Sequence, residues 1–323
     1  MVVPEQVVEP SHVPVLRDRI VDLLAPSLAQ PGSVYLDCTL GLGGHASVVL
    51  ARCPNARLVG IDRDPAALAV AGRRLATFGN RVHLYQAVYH ELAEVLAEDG
   101  TRSVQAICMD LGLSSLQIDD RERGFAYAVD APLDMRMDSG QDLTAETLVN
   151  TAAPGELVRI LREYGDEKFA DRIVRRVVEA RAKAPIRTSA DLVALVDQAI
   201  PMAARTRSGH PAKRTFQALR IAVNAELTSL AAALPAALDA LAPGGRLAVL
   251  AYHSGEDRLV KRAFAEASSD HVPPGLPAVP AALQARFALL TRGAERPTPS
   301  ETAANPRAAA ARLRAIEHKE DAA

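Results

Sequence analysis

The chain contains no tryptophan, and phenylalanine and tyrosine together make up only 4% of its 323 residues. Any surface that works by ring stacking must therefore be assembled from a few side chains such as Phe125, Tyr127, Phe216 or Tyr252. Cysteine is equally scarce. Cys38, Cys53 and Cys108 are odd in number and show no Cys-x-x-Cys spacing, which excludes a disulfide framework and a cysteine zinc site. They read as buried thiols of a reducing cytosol, so a cytoplasmic protein without a metal is expected. No apolar run approaches the roughly 18 residues that a membrane span needs, and residues 1–11 lack the apolar core of a signal peptide. With 49% hydrophobic and 24% charged residues the chain is composed like a packed globular protein, long enough for one large domain or two ordinary ones.

What is present centres on residues 34–45, Val-Tyr-Leu-Asp-Cys-Thr-Leu-Gly-Leu-Gly-Gly-His. The first five residues read as a short buried strand. Gly41, Gly43 and Gly44 then form a tight strand-to-helix turn in which backbone can approach a ligand closely. A helix over residues 46–52 would present unpaired N–H groups at that turn. A second strand over 57–61 ends in Asp62, nineteen positions after Gly43, close to the spacing at which nucleotide-binding βαβ units place a carboxylate on ribose hydroxyls. Ala46 occupies the third position of Gly-x-Gly-x-x-Gly, which makes a nicotinamide-dependent oxidoreductase the second choice. Asp37-x-x-x-Gly41-x-Gly43 instead resembles the first motif of S-adenosylmethionine-dependent methyltransferases.

The alternation of strand and helix continues along the chain. Asp64-Pro65 reads as the N-cap and first residue of a helix running to about residue 77. A strand over 82–86 precedes Tyr89 in a loop, a helix over 91–98 follows, and a fourth strand over 104–109 delivers Asp110. Ligands of open parallel sheets sit at the carboxyl ends of the strands, so Asp37, Asp62 and Asp110 should converge on one crevice. Residues 111–138 are too long and too charged for an ordinary connection; the interspersed Phe125, Tyr127, Leu133, Met135 and Met137 argue for an ordered lid. Helical period then replaces alternation over 156–164, 167–184 and 189–199, with Asp166 and Thr188 or Ser189 as caps for the second and third helices. One long helix over 215–241, a turn at 242–245 and a fifth strand over 246–250 return the chain to the sheet, ending at Tyr252-His253-Ser254. Residues 268–306 are proline-rich and read as weakly ordered, and the last strand falls within 311–317.

The near-neutral net charge of −2 conceals a basic segment. Between Arg159 and Arg220 fourteen Lys or Arg face seven Asp or Glu, and Arg205, Arg207, Lys213 and Arg214 are concentrated in one loop without acids at i, i+4 spacing. Such clusters attract phosphate backbones, so these four residues are the candidate RNA contacts. A non-catalytic RNA- or ribosome-binding protein would share this feature.

Taken together, several stretches resemble one family, the bacterial small-subunit rRNA cytosine-N4 methyltransferases (RsmH, or MraW). They are His12-Val13-Pro14-Val15-Leu16, Gly43-Gly44-His45, Gly60-Ile61-Asp62-Arg63-Asp64-Pro65, Asp110-Leu111-Gly112-Leu113-Ser114-Ser115 and Arg123-Gly124-Phe125. Further on come Pro132-Leu133-Asp134-Met135-Arg136-Met137-Asp138, Tyr164-Gly165-Asp166-Glu167-Lys168-Phe169, residues 210–220, Tyr252-His253-Ser254 and Asn305-Pro306-Arg307. The resemblance implies a Rossmann-like class I methyltransferase sheet carrying an inserted all-helical domain. Residues 1–120 and 212–323 would form the methyltransferase domain, and 121–211 the lid loop and substrate-recognition insert. It implies S-adenosylmethionine as donor, a cytosine amine of small-subunit ribosomal RNA, free or in the 30S subunit, as acceptor, and cofactor contacts at Gly43, Gly44, His45, Asp62, Tyr89, Asp110 and Gln117. Tyr89 replaces the usual phenylalanine and Gly255 the usual leucine. Monomer and homodimer both remain open.

A cytosine exocyclic amine is a poor nucleophile, so acceptors are needed to hold it and to offset developing positive charge. Asp110 is the first candidate; Ser114, Asp134 and His253 follow. Each has a structural alternative: Asp110 as cofactor ligand alone, Ser114 as a turn residue, His253 as a partner of Asp257.

Overall fold

The computed structural model describes residues 13–205, 210–270 and 283–320. Its centre is a seven-stranded sheet of order β3-β2-β1-β4-β5-β7-β6, built from β1 (Val34–Asp37), β2 (Arg57–Asp62), β3 (Val82–Gln86), β4 (Val104–Asp110), β5 (Leu241–Ala251), β6 (Phe287–Leu289) and β7 (Arg312–His318). The first five strands pair in parallel, and β7 runs antiparallel between β5 and β6. A parallel strand is covered on both faces and needs apolar residues on both. β1 meets that requirement, with Tyr35 in the core on one side and Val34 and Leu36 in the core on the other. Helices α1 (Arg17–Leu24), α2 (Gly44–Arg52) and α3 (Pro65–Leu75) cover the first face through Ile20, Leu24, Val49, Leu50 and Leu75. Helices α4 (Leu92–Glu98), α12 (Glu226–Ala240) and α13 (Ser254–Ala267) cover the second through Leu92, Leu230, Leu234, Val260 and Phe264. This is the doubly wound α/β sheet that the sequence announces. Asp64 caps α3 as expected, accepting the Ala66 N–H with Pro65 at the first position, and Cys38, Cys53 and Cys108 are buried.

After β4 the chain leaves the sheet through α5 (Ser115–Asp119) and enters a helical unit with its own core. Helices α6 (Ala145–Thr151), α7 (Pro154–Gly165), α8 (Ala170–Arg181), α9 (Ser189–Ala199), α10 (Met202–Arg205) and α11 (Lys213–Val223) make up this unit. Leu157, Ile160, Ile173, Val177, Val196, Phe216 and Leu219 fill its core, together with Leu133 and Met135 of the long loop. The loop is thus ordered by burial of its own apolar residues, and α11 belongs by packing to the helical core.

Four sequence expectations need correction. The single helix over 215–241 is two helices, α11 and α12, bent by 57°. Ala225 takes a left-handed φ of 50°. The Asn224 side chain meanwhile accepts the Met137 N–H and donates to the Met135 carbonyl, while Arg63 donates to the Asn224 carbonyl. Those tertiary bonds replace the helical ones that continuation would supply. Second, Asp166 does not start α8; it ends α7 in a left-handed conformation (φ 49°), with its N–H on the Leu161 carbonyl. Third, residues 242–245 interrupt β5 from within, since pairing with β4 jumps from Val104–Leu241 to Ala106–Arg246. Fourth, the proline-rich stretch holds β6 and α14 (Pro299–Ala304). It is fastened by the Arg19–Glu295 ion pair, and by the Glu301 carboxylate on the Leu16 N–H. No single helix among the described residues is long and apolar enough to cross a membrane.

Candidate functional site

Strands β1, β2 and β4 deliver Asp37, Asp62 and Asp110 to one edge of the sheet, where the glycine turn also lies. The three glycines of that turn differ in purpose. Gly41 has a φ of +52°, and a Cβ there would meet Ser114 and the Thr39 carbonyl in ordinary contact at 3.9 Å. A Cβ on Gly43 would come within 3.2 Å of Leu75, and one on Gly44 within 2.8 Å of Pro14. Gly43 and Gly44 thus let α3 and the N-terminal segment pack closely, and Gly41 supplies a left-handed φ that a side chain would strain. The turn is tied to β2: Asp62 Oδ2 accepts the Gly41 N–H at 2.7 Å and Oδ1 accepts the Asp64 N–H at 2.9 Å. Burial pushes the Asp62 carboxyl up, and these two N–H bonds oppose it. Each oxygen keeps a further lone pair for a ligand hydroxyl.

Behind the turn lies a group of polar side chains with little water. Asp37 is buried, and desolvation pushes it up to about 6 against His45, the Tyr35 hydroxyl and the Thr39 N–H. His45 is buried as well, and neither ring nitrogen has a hydrogen-bond partner among the described residues. Its Nε2 stands 3.5 Å from Asp110 Oδ2. The Asp110 backbone is pinned by its N–H on Thr39 Oγ1, and Oδ1 accepts the Tyr252 hydroxyl at 2.7 Å. The Asp110 side chain remains 27% exposed, so part of the carboxylate opens to the crevice.

The other candidates are placed as follows. Tyr89 is partly buried against the second core and donates its hydroxyl to the Glu226 carbonyl at 2.9 Å, with burial raising its phenol. Glu226 itself forms two 2.8 Å bonds with Arg220. Gln117 is buried; its amide donates to Asp64 Oδ2 and accepts the Ser114 N–H, while Ser114 Oγ caps α5 by accepting the Gln117 N–H. Both side chains are therefore occupied within the protein. Asp134 grips Arg136 through both carboxylate oxygens beside the helical core. His253 caps α13, with Nδ1 accepting the Gly255 and Glu256 N–H groups, which assigns the ring proton to Nε2. It is not the partner of Asp257, which is held by Arg312 and Arg314 instead.

Of the basic candidates, Arg214 is linked through Asp166 to the start of α13. Arg214 reaches the Asp166 carbonyl at 3.5 Å, and Ser254, next to His253, donates to the Asp166 carboxylate at 3.1 Å. Lys213 opens α11 beside it, Arg205 ends α10, and Arg207 lies outside the described residues. Two features escaped sequence reasoning. The Tyr252 hydroxyl meets Asp110 across 142 residues, and Arg123 pairs with the fully buried Asp64 across 59. No local pattern signals either, because both depend on where distant strand ends meet.

The MraW methylase family matches residues 9–319. Ribosomal RNA small subunit methyltransferase H of Streptomyces avermitilis is 56% identical over 312 residues, covering 96% of this chain and 98% of that relative. Proteins of the same name from Nocardioides sp. and Cutibacterium acnes are 59% and 58% identical, covering 95% of this chain and 97% and 91% of their own lengths. The family resemblance carried by the glycine turn, by residues 132–138 and by residues 210–220 is thus matched along nearly the whole chain, and the protein belongs to the MraW methylase family.

Proposed function

We propose that this protein transfers a methyl group from S-adenosylmethionine to the exocyclic N4 amine of a cytidine in small-subunit ribosomal RNA, acting in the cytoplasm. The RNA class follows the name shared by its relatives. The observation that carries the chemistry is Asp110, a part-exposed carboxylate at the end of β4 with Oδ1 engaged by Tyr252 and Oδ2, 3.5 Å from His45 Nε2, without a hydrogen bond among the described residues.

The crevice suits the cofactor on two counts: lone pairs on Asp62 for the two ribose hydroxyls, and His45 ring nitrogens with no hydrogen-bond partner among the described residues. The N-terminus of α2 adds unpaired N–H groups for the cofactor carboxylate, and the Tyr89 ring borders the base. The bound cofactor supplies a methyl group already activated on a sulfonium. The protein's task is alignment and charge. Asp110 Oδ2 accepts an N–H from the amine, holds the lone pair toward the methyl, offsets the positive charge that develops on nitrogen and takes up the proton that nitrogen releases after transfer, passing it to solvent at the open side of the crevice. A single-stranded or flipped-out base reaches this point from the lip formed by Ser254 and Asp166. Lys213 and Arg214 hold phosphates outside it; Arg205 and Arg207 are candidates on charge alone. The recognition unit is residues 121–211 together with α11, which shares its core.

Asp110→Asn tests the chemical role, since it keeps shape and an acceptor while removing charge. Turnover is expected to fall by about a hundredfold with cofactor affinity, measured by calorimetry, within about twofold. Turnover at the wild-type rate would remove Asp110 from the chemistry.

A further inference from the structure

We propose that Tyr252 is a positioning residue for methyl transfer: its hydroxyl holds the Asp110 carboxylate so that Oδ2 alone is presented to the reacting amine. The proposal rests on the reading of Asp110 as the amine acceptor. Asp110 and Tyr252 leave neighbouring strands, with Asp110 in register with Leu250 and the Leu111 N–H on the Leu250 carbonyl. The two side chains emerge side by side at the crevice. Tyr252 has little freedom of its own. Its N–H donates to Glu256 Oε2 at 2.7 Å, and its ring packs against the first core. Gly112, with a φ of +97°, lies under that ring; a Cβ there would stand 3.6 Å from it.

A fixed phenol donating at 2.7 Å to Oδ1 stops rotation of the carboxylate about its last bond. Burial and the neighbouring Asp110 charge push the Tyr252 phenol well above its ordinary range, so it stays a donor wherever the enzyme works. On the other side Oδ2 faces His45 Nε2 at 3.5 Å, and that nitrogen has no hydrogen-bond partner among the described residues. Oδ2 is therefore the oxygen with lone pairs to spare. The composition had marked Tyr252 as one of few rings available for base stacking; its ring is instead committed to the core and its hydroxyl to Asp110.

The test is a kinetic cycle with Tyr252→Phe, Asp110→Asn and the double variant, using S-adenosylmethionine and purified small-subunit RNA or subunits. Tyr252→Phe keeps the ring, and its thermal melt serves as the folding control. We expect its kcat to fall about tenfold to a hundredfold, with KM for both substrates within about twofold, as for loss of one hydrogen bond to a charged group that matters in the transition state. We also expect the double variant to be no slower than Asp110→Asn alone, because Tyr252 acts through Asp110. Wild-type kcat in Tyr252→Phe, or a loss confined to KM, would overturn the proposal. So would multiplicative losses in the double variant, which would mean that the ring acts on the base directly. If Asp110→Asn is slow and Tyr252→Phe is not, only the positioning role fails; if Asp110→Asn turns over normally, the acceptor role fails first.

Discussion

Replacing Arg123 by alanine should cost this protein far more than a surface arginine would. Asp64 is fully buried at the start of α3, and its carboxylate accepts from Arg123 at 3.0 and 3.2 Å, from Gln117 at 3.1 Å and from the Ala66 N–H at 3.0 Å. Arg123 also donates to the Met137 carbonyl at 3.1 Å, so one side chain joins the end of β2 to the lid. Removing one partner of a buried ion pair typically costs 3–5 kcal/mol, because the other charge is left uncompensated. Arg123 is 16% exposed and two donors would remain on Asp64. The low end of that range, about 3 kcal/mol, is therefore appropriate. For a chain of this size that corresponds to a fall in Tm of roughly 4–5 °C. Scanning calorimetry measures it directly. Asp64→Asn keeps the cap and removes the charge, so combining it with Arg123→Met should restore much of the loss. A melting point for Arg123→Ala within about 2 °C of wild type, as for an ordinary surface change, would refute this reasoning.

Three further outcomes follow from the same geometry. Asp62→Ala should weaken S-adenosylmethionine binding by about tenfold to a hundredfold in calorimetry, the loss of a charge-assisted contact; unchanged affinity would reject the ribose assignment. Lys213→Ala with Arg214→Ala should weaken RNA binding and reduce the slope of log affinity against log salt by about 1.4, roughly 0.7 per single-stranded phosphate contact; an unchanged slope would place the RNA elsewhere. Burial pushes Asp99 up, but hydrogen bonds from Thr101, His83 and Arg57 outweigh it and hold the carboxyl at about 2. Its folded value lies below the unfolded one of about 3.9, so this contribution is complete above pH ~4 and lost as pH falls toward 2. Asp99→Asn should be less stable than wild type at pH 6 by about 1 kcal/mol after screening, with the gap closing by pH ~2 in chemical denaturation; a gap independent of pH would contradict it.

What was legible in the sequence was local. The strand, glycine turn, helix and acid of residues 34–62 are contiguous, and each carries its own residue signal. The rule that parallel strands expose their carboxyl ends then brings Asp37, Asp62 and Asp110 together without a structure. The helical insert was legible for the same reason, since Phe169, Ile173 and Val177 repeat at the helical period. The bend at Asn224 was not. Both halves share that period, and Ala225 has no preference for a left-handed φ. Arg63, Met135 and Met137 impose it from far along the chain. Pro235 lies inside α12 without ending it, as a helix read through that position requires. β6 is only three residues long, too short for a period to emerge among prolines. Among the site residues, Ser114, Gln117 and His253 were singled out by type and position, and their side chains serve as caps and ties within the protein. The Tyr252 hydroxyl on Asp110 required the register of β4 against β5.

Transfer of labelled methyl from S-adenosylmethionine measures the reaction itself. Purified protein would be incubated with small-subunit ribosomal RNA and with assembled subunits, and the RNA digested and read by nucleoside mass spectrometry. Label is expected on the exocyclic nitrogen of a single cytidine. Label on a ribose 2′-hydroxyl, on cytosine C5 or on protein, or no transfer to either substrate, would contradict it.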